Sequence, residues 1–250
     1  MDTAGDNRGR ITVIGIGPGA ESMMTLQALR ALDQADVIVG YSVYLDLLGE
    51  RFRGKEMLST PMKQEAERCR MCFEEAAKGK NVAMVCSGDA GIYGMASLMF
   101  EIGEGYAGGA EIEILPGITA ASSGAAVLGA PLNHDFCVIS LSDLLTPWEL
   151  IEKRLRAAAA GDFAIAIYNP SSKKRHDYLK KACDILMEIV EAERVCGYVR
   201  SIGRDGEEYR TCSLAELRDA EVDMFTTVFI GNSQSRISGG RMITPRGYVI

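Results

Sequence analysis

The sequence predicts an α/β protein of two domains, an N-terminal one built on a mostly parallel sheet and a C-terminal one built on a mixed sheet. Three observations lead there. In the first half, short β-branched runs alternate with segments of helical periodicity, the pattern of parallel strands joined by crossover helices and covered on both faces. The alternation pauses at APLNHD, which places a domain boundary near residues 130–135, with domains over 10–132 and 133–250. It then resumes, and beyond the run VCGYVR it gives way to strands joined by turns.

Taken in order, Ile11–Ile16 is a β-branched run that meets glycines at once and reads as a buried strand. Ser22 is positioned to cap a helix running to about Ala35, with Leu26, Leu29 and Leu32 on one face. Strands are expected over Val37–Val39 and Met57–Leu58, separated by a short helix at Val43–Leu48. Glu65–Gly79 has helical spacing and a glycine stop. Val82–Cys86 is a strand, Met95–Glu104 a helix and Ile112–Leu115 a strand. The small-residue stretch from Ile118 to Leu132 reads as a buried helix. In the second domain, strands are expected at Phe136–Ser140, Phe163–Tyr168, Val195–Val199 and Met224–Ile230. Helices are expected at Trp148–Ala160, Asp177–Val190 and near Ala215. Arg204, Asp205 and Gly206 turn the chain into EEYRTC, and Pro245 assigns the tail RMITPRGYVI to a sheet edge.

Composition narrows the function. The 250 residues are 47% hydrophobic and 24% charged, which excludes disordered and fibrous classes. Lys plus Arg number 27 against 34 Asp plus Glu, a net charge of −7, which argues against a nucleic acid or an anionic membrane as partner. No apolar run is long enough to span a bilayer, and Met1–Arg10 lacks the apolar core of a signal or transit peptide. A cytoplasmic protein is expected. The seven scattered cysteines agree with that compartment. Cys69 and Cys72 form a C-x-x-C, but no second pair stands at ligand spacing, so two half-buried helix thiols are expected and no metal site.

Three glycine-bearing loops follow strands of the first domain. Glycine accepts a positive φ and lets main-chain N–H groups approach a ligand at a helix start. In VIGIGPGA, Gly15, Gly17 and Ala20 fit the dinucleotide spacing. Pro18 removes one N–H from that loop, and no acid ends the second strand, where Gly40 stands. These two features count against a nicotinamide cofactor. In CSGDAGIYGMAS, Asp89 either accepts hydrogen bonds from a ribose or an amine, or caps the next helix. In LPGITAASSGAA, Thr119 either offers its hydroxyl to a ligand or caps its own helix. Three such loops leaving one sheet edge suggest one shared ligand cleft.

VIGIGPGA, SGDAGIYG, PGITA, HDFCVISLSDLLTPW, YNPSS and MITPRGY occur in that order, and together they resemble the tetrapyrrole methylase family from about Arg10 to Ile250. HDFCVISLSDLLTPW with YNPSS is similar to the members that act on ring carbon 17 of a corrin precursor. The resemblance implies two α/β domains with the active-site cleft between them, S-adenosyl-L-methionine as cofactor, a homodimer, and a precorrin or cobalt-precorrin tetrapyrrole as substrate. The implied reaction is methylation of carbon 17 of precorrin-3B or cobalt-factor III with ring contraction, in cobalamin biosynthesis. Methylation of another ring carbon is the neighbouring reading, and a non-catalytic module for a nucleotide-like ligand is the reading from a different class.

By the same resemblance, the cofactor contacts are Pro18, Ser87, Gly88, Asp89, Ile92, Thr119, Ala120, Tyr168, Asn169, Ser201 and Gly203. Thr227 and Val228 are weaker candidates. The family's GDP triplet is Gly88-Asp89-Ala90 here, and Gly40 replaces an aspartate that some relatives carry. Methyl transfer from a sulfonium needs alignment more than a protein nucleophile. Ring contraction also moves protons, for which His134 and Asp143 are candidate acid/base residues. The alternatives are a backbone-bonded hinge role for His134 and helix capping for Asp143. The substrate is rich in carboxylates, so substrate contacts are assigned to Gly17 and Gly19 of the first loop and to Lys173, Lys174 and Arg175. A solvated helix start is the alternative for the three cations.

Overall fold

A computed structural model describes residues 9–106, 110–172 and 174–249. The chain divides into two units, Met1–Thr119 and Ala120–Ile250.

The first unit contains β1 (Arg10–Gly15), α1 (Leu26–Gln34), β2 (Val37–Tyr41), α2 (Ser42–Leu45), β3 (Glu56–Thr60), α3 (Glu65–Ala76), β4 (Val82–Cys86), α4 (Ala96–Gly103) and β5 (Glu111–Leu115). Its sheet has the order β3-β2-β4-β1-β5, and every pairing in it is parallel. The period of two along a strand divides the side chains between two apolar layers. Val82, Met84 and Cys86 face one layer with α3 and α4 residues such as Cys72, Phe73 and Met99. Ala83 and Val85 face the other, with Ala28 and Leu32 of α1 and with Phe52.

α1 starts later than expected. Ser22 lies in a separate 3-10 turn, and the cap is Thr25, whose hydroxyl accepts the Ala28 N–H at 3.0 Å. The buried stripe is therefore Ala28 and Leu32, and Leu26 points to solvent, 72% exposed. Gly79 stands three residues past α3 at φ +83°, with its N–H bonded to Ala76 O, as a glycine stop should.

The second unit contains α5 (Ala120–Leu128), β6 (Gly129–Ala130), β7 (Phe136–Ser140), α6 (Trp148–Ala160), β8 (Ala164–Tyr168), α7 (Tyr178–Met187), β9 (Val195–Arg200), β10 (Glu208–Ser213), α8 (Leu214–Arg218), β11 (Thr226–Ile230), β12 (Arg236–Ser238) and β13 (Arg241–Ile243). Its main sheet is mixed, with order β10-β9-β11-β8-β7. Only β7 and β8 pair in parallel; β11 runs antiparallel to both β8 and β9.

Helix α5, read from sequence as the end of the first domain, packs within this unit, so the division falls ahead of the 132/133 boundary suggested by sequence. Ala121, Ala125 and Leu128 share an apolar cluster with Ala166, Val199 and Phe229. The helix is made of small residues because Phe229 presses on it: a Cβ on Gly124 would lie 2.9 Å from the Phe229 ring. The opposite face of the sheet packs Ile165, Ile167 and Val228 against Ile151, Leu155 and Leu186 of α6 and α7. The tail strand β13 is not at an edge; it lies between β12 and β6, and Pro245 comes just after it, where no ladder bond is needed. No helix among the described residues is long and apolar enough to cross a membrane.

Candidate active site

In the first unit the strand order puts β4, β1 and β5 side by side and parallel, so the three glycine loops leave one edge next to one another. They are sewn together through the main chain. Gly17 and Gly88 exchange N–H to C=O bonds of 3.0 and 2.7 Å, both at positive φ (+76° and +69°). Gly15 and Gly117 leave no space for a side chain: a Cβ on Gly117 would lie 2.1 Å from Gly88 O and 2.5 Å from Gly15 O. Asp89 completes the join. Its Oδ1 accepts the N–H groups of Gly91 (2.8 Å) and Ile92 (3.1 Å), and its Oδ2 accepts that of Gly117 (2.9 Å). The carboxylate thus folds its own loop and ties it to the loop after β5. It does not cap α4, which begins seven residues later.

The corresponding edge of the second unit is built differently. Because β11 is antiparallel, this edge carries the ends of β7, β8 and β9 but the start of β11. Side chains make most of the joins, beside main-chain bonds such as Leu141 N–H to Tyr168 O at 3.0 Å. The Tyr168 hydroxyl accepts the Ala121 N–H at 2.7 Å, supplying a partner to the first turn of α5. Asn169 Nδ2 donates to Ser140 Oγ at 3.0 Å. Ser201 N–H bonds to Phe225 O (3.1 Å), and Gly203 N–H to Glu207 Oε2 (2.7 Å). Asn169 and Ser201 sit in the left-handed region at φ +53° and +52°, as does Tyr93 of the Asp89 loop at +54°. Non-glycine residues held there carry local strain, and such strain gathers at ligand sites.

The charged candidates fall into two places. Asp143 Oδ2 accepts the Tyr178 hydroxyl at 2.6 Å, and Oδ1 accepts Arg175 Nη1 at 3.2 Å. The Tyr178 hydrogen bond, with Arg175 beside it, holds the Asp143 carboxyl below its ordinary value, and the same bond raises the Tyr178 phenol. Arg175 also donates to Ser142 Oγ (2.8 Å) and Ser172 Oγ (3.1 Å), and Trp148 packs on Tyr178 with ring centroids 4.7 Å apart. His134 is elsewhere. It precedes β7 while Asp143 follows it, and a five-residue strand separates two such positions by about 16 Å. The two proposed acid/base residues are therefore not brought together. His134 Nδ1 accepts the Asp135 N–H at 2.9 Å, and the residue lines an open depression with Leu132, Asn133, Asp135 and Arg246.

The other sequence candidates distribute plainly. Gly17, Pro18 and Gly19 are buried in the first loop; Ser87, Gly88, Asp89 and Ile92 lie in the second, and Thr119 ends the third. Ala120, Tyr168, Asn169, Ser201 and Gly203 lie at the described edge of the second unit. Thr227 and Val228 are buried within β11. Lys174 is exposed beside the partly buried Arg175, and Lys173 lies outside the described residues. Cys69 and Cys72 are fully buried, not half-buried, and burial pushes the Cys69 thiol up to about 12 and Cys72 well above its ordinary value. Tyr93, between Gly91 and Gly94, was not singled out from sequence, and its left-handed backbone marks the Asp89 loop.

The family description of tetrapyrrole (corrin/porphyrin) methylases matches residues 10–218, and the chain belongs to that family. It is 46% identical over 240 residues to the probable cobalt-factor III C(17)-methyltransferase of Salmonella typhimurium, covering 96% of this chain and 100% of that one. It is 43% identical over 245 residues to the cobalt-factor III methyltransferase of Priestia megaterium, covering 96% of this chain but only 45% of that longer protein. Among solved structures, the methyltransferase CobJ superposes with a TM-score of 0.88 at 43% identity, over 95% of this chain and 100% of that one.

Proposed function

We propose that this protein is an S-adenosyl-L-methionine-dependent methyltransferase that methylates carbon 17 of a corrin precursor, cobalt-factor III or its metal-free counterpart precorrin-3B, with ring contraction in cobalamin biosynthesis. The observation that carries the reading is the likeness, end to end, to a relative named for that activity. The local geometry supports the cofactor: the left-handed residues Tyr93, Asn169 and Ser201 stand in the loops that the family resemblance assigns to it.

When bound, the sulfonium supplies an activated methyl group, and the protein's part is to hold the acceptor carbon in line with it, positioning that is worth roughly 7–11 kcal/mol in favourable cases. We assign cofactor contacts to Pro18, Ser87, Gly88, Ile92 and Thr119 in the first unit, and to Ala120, Tyr168, Asn169, Ser201 and Gly203 in the second. Asp89 acts on the cofactor through the loop amides it fixes. Gly17, Gly19 and Lys174 remain the substrate-side assignments. Arg175 serves first to anchor Asp143, and Asp143 acts as a hydrogen-bond acceptor in place of a proton donor, because its carboxyl is held ionised. His134 stays a candidate for a proton-transfer role only at its own depression. A homodimer in the cytoplasm accompanies this reading, and sedimentation of the purified protein tests the dimer.

The decisive experiment is anaerobic incubation with S-adenosylmethionine and, separately, the cobalt-bearing and metal-free trimethylated precursors, read by mass spectrometry. Gain of one methyl by either ring supports the proposal and identifies its metal state. Binding of S-adenosylhomocysteine without turnover of either ring replaces it with a non-catalytic binding role.

A further inference from the structure

Two arginines in the described chain are more than nine-tenths buried, and they are buried in opposite ways. Arg194, 7% exposed, bonds Glu191 through Nε (2.7 Å) and Nη2 (2.9 Å) and Asp162 through Nη1 (3.1 Å). That is what removal of a guanidinium from water ordinarily requires. Arg68, on α3 and only 4% exposed, forms no ion pair among the described residues. Its Nη2 donates to two neutral carbonyls, Thr60 O and Pro61 O, both at 3.3 Å, and its Cζ lies 5.8 Å from the Tyr41 ring centre. Its Nε is buried with no hydrogen-bond partner at all. The neighbouring cysteines add no negative charge: burial pushes Cys69 up to about 12, Cys86 up to about 11 and Cys72 well above its ordinary value. On the helix, Glu65 accepts the Lys63 N–H at 3.2 Å and Glu67 pairs with Arg70, and Asp89, which also acts on Cys86, accepts three main-chain N–H groups.

The location gives this unpaired charge a meaning. Thr60 ends β3, Tyr41 ends β2 and Cys86 ends β4, so Arg68 sits at the edge from which the Ser87-Gly88-Asp89 loop departs. The covering segment, Pro61 to Gln64, is exposed at every residue, which leaves the guanidinium one loop from solvent. We infer that Arg68 is a recognition residue that binds a ligand carboxylate at the carboxyl edge of the first unit's sheet. The inference rests on the reaction proposed above, whose two ligands both carry carboxylates: the amino-acid end of the methyl donor and the side chains of the macrocycle. A guanidinium fork matches a carboxylate in charge and geometry, and a free Nε donor is what such a ligand would complete.

The test compares wild type with Arg68→Gln and Arg68→Lys in four titrations. S-adenosylhomocysteine is set against methylthioadenosine, which lacks the amino-acid carboxylate. Cobalt-factor III is set against its methyl esters, both with S-adenosylhomocysteine present. Arg68→Gln is expected to weaken one carboxylate-bearing probe at least tenfold, with its carboxyl-free counterpart changed less than about twofold and Arg68→Lys intermediate. Which pair responds identifies the ligand. Equal weakening of acid and carboxyl-free probes shows a merely structural arginine and overturns the inference, as does no change in any titration. Should Arg68→Gln fail to fold, the lysine variant decides alone: it must weaken the acid probe selectively. Wild-type protein that binds none of the four defeats the proposed function itself, a result separate from unchanged binding by the variants.

Discussion

The two strand-end edges, one in each unit, carry comparable loops held by different means. In the all-parallel sheet, three neighbouring strands finish together, and their loops are close enough to bond main chain to main chain, with glycine compulsory at the contacts. In the mixed sheet, the parallel neighbours β7 and β8 also finish side by side, but their loops are joined by side chains, Asn169 to Ser140 and Asp143 to Arg175 and Tyr178, while Tyr168 holds the start of α5. The residues after the strands thus decide how an edge is fixed: glycines let main chain meet main chain in the first unit, and polar side chains span most of the joins in the second. A backbone-fixed edge has little tolerance for added atoms, while a side-chain-fixed edge should lose its bonds one at a time.

The largest effect expected from this contrast is at Gly117. Gly117→Ala forces a methyl to within 2.1 Å of Gly88 O, and urea unfolding should show a loss of about 3 kcal/mol or more, or no folded protein. A loss under about 1 kcal/mol would mean that the loops are not fused as described. Next is Asp89→Ala, which strands three loop amides. We expect about 2 kcal/mol of destabilisation and at least tenfold weaker S-adenosylhomocysteine binding by calorimetry. Unchanged affinity would remove Asp89 from the site.

Smaller again is Tyr178→Phe in the second unit, at about 1 kcal/mol near neutral pH. The sign of its pH dependence follows from Asp143. A carboxyl whose native value is depressed contributes stability above its unfolded value of about 3.9, and that contribution is lost as pH falls through the native value. The gap between wild type and variant should therefore be full at pH 7 and narrow on acidification through the carboxyl range; a gap that widens contradicts the assignment. The smallest effect is a near absence. Native protein at pH 8 should react slowly with a thiol reagent, because burial raises Cys69, Cys72, Cys86, Cys183 and Cys196, and the urea-unfolded chain should release all seven thiols.

Local signals carried much of this architecture. The β-branched run that meets glycines located β1, and the apolar run ahead of SGDAGIYG located β4, because the requirement for a tight turn is written in adjacent residues. Thr25 and Ser22 both offer a capping hydroxyl, and only packing of Ala28 and Leu32 selects between them. Helix α5 is apolar and small-sided whichever sheet it meets, so its membership of the second unit was not legible. The triple anchorage of Asp89 depends on Gly117, 28 residues away, and the Asp143 cluster on partners 32 and 35 residues away. Separations of that kind leave no periodicity in a sequence. The small β12-β13-β6 sheet was missed because β6 has two residues and no pattern of its own.

The reciprocal bonds between Gly17 and Gly88 have a kinetic corollary. Neither amide can meet solvent while the other stays paired in its present geometry, so the two protons should be released in one opening event. Deuterium uptake at Gly17 and Gly88 would then share a single time course, slow for positions outside regular strands, and a ligand seated on that edge would retard both to the same degree.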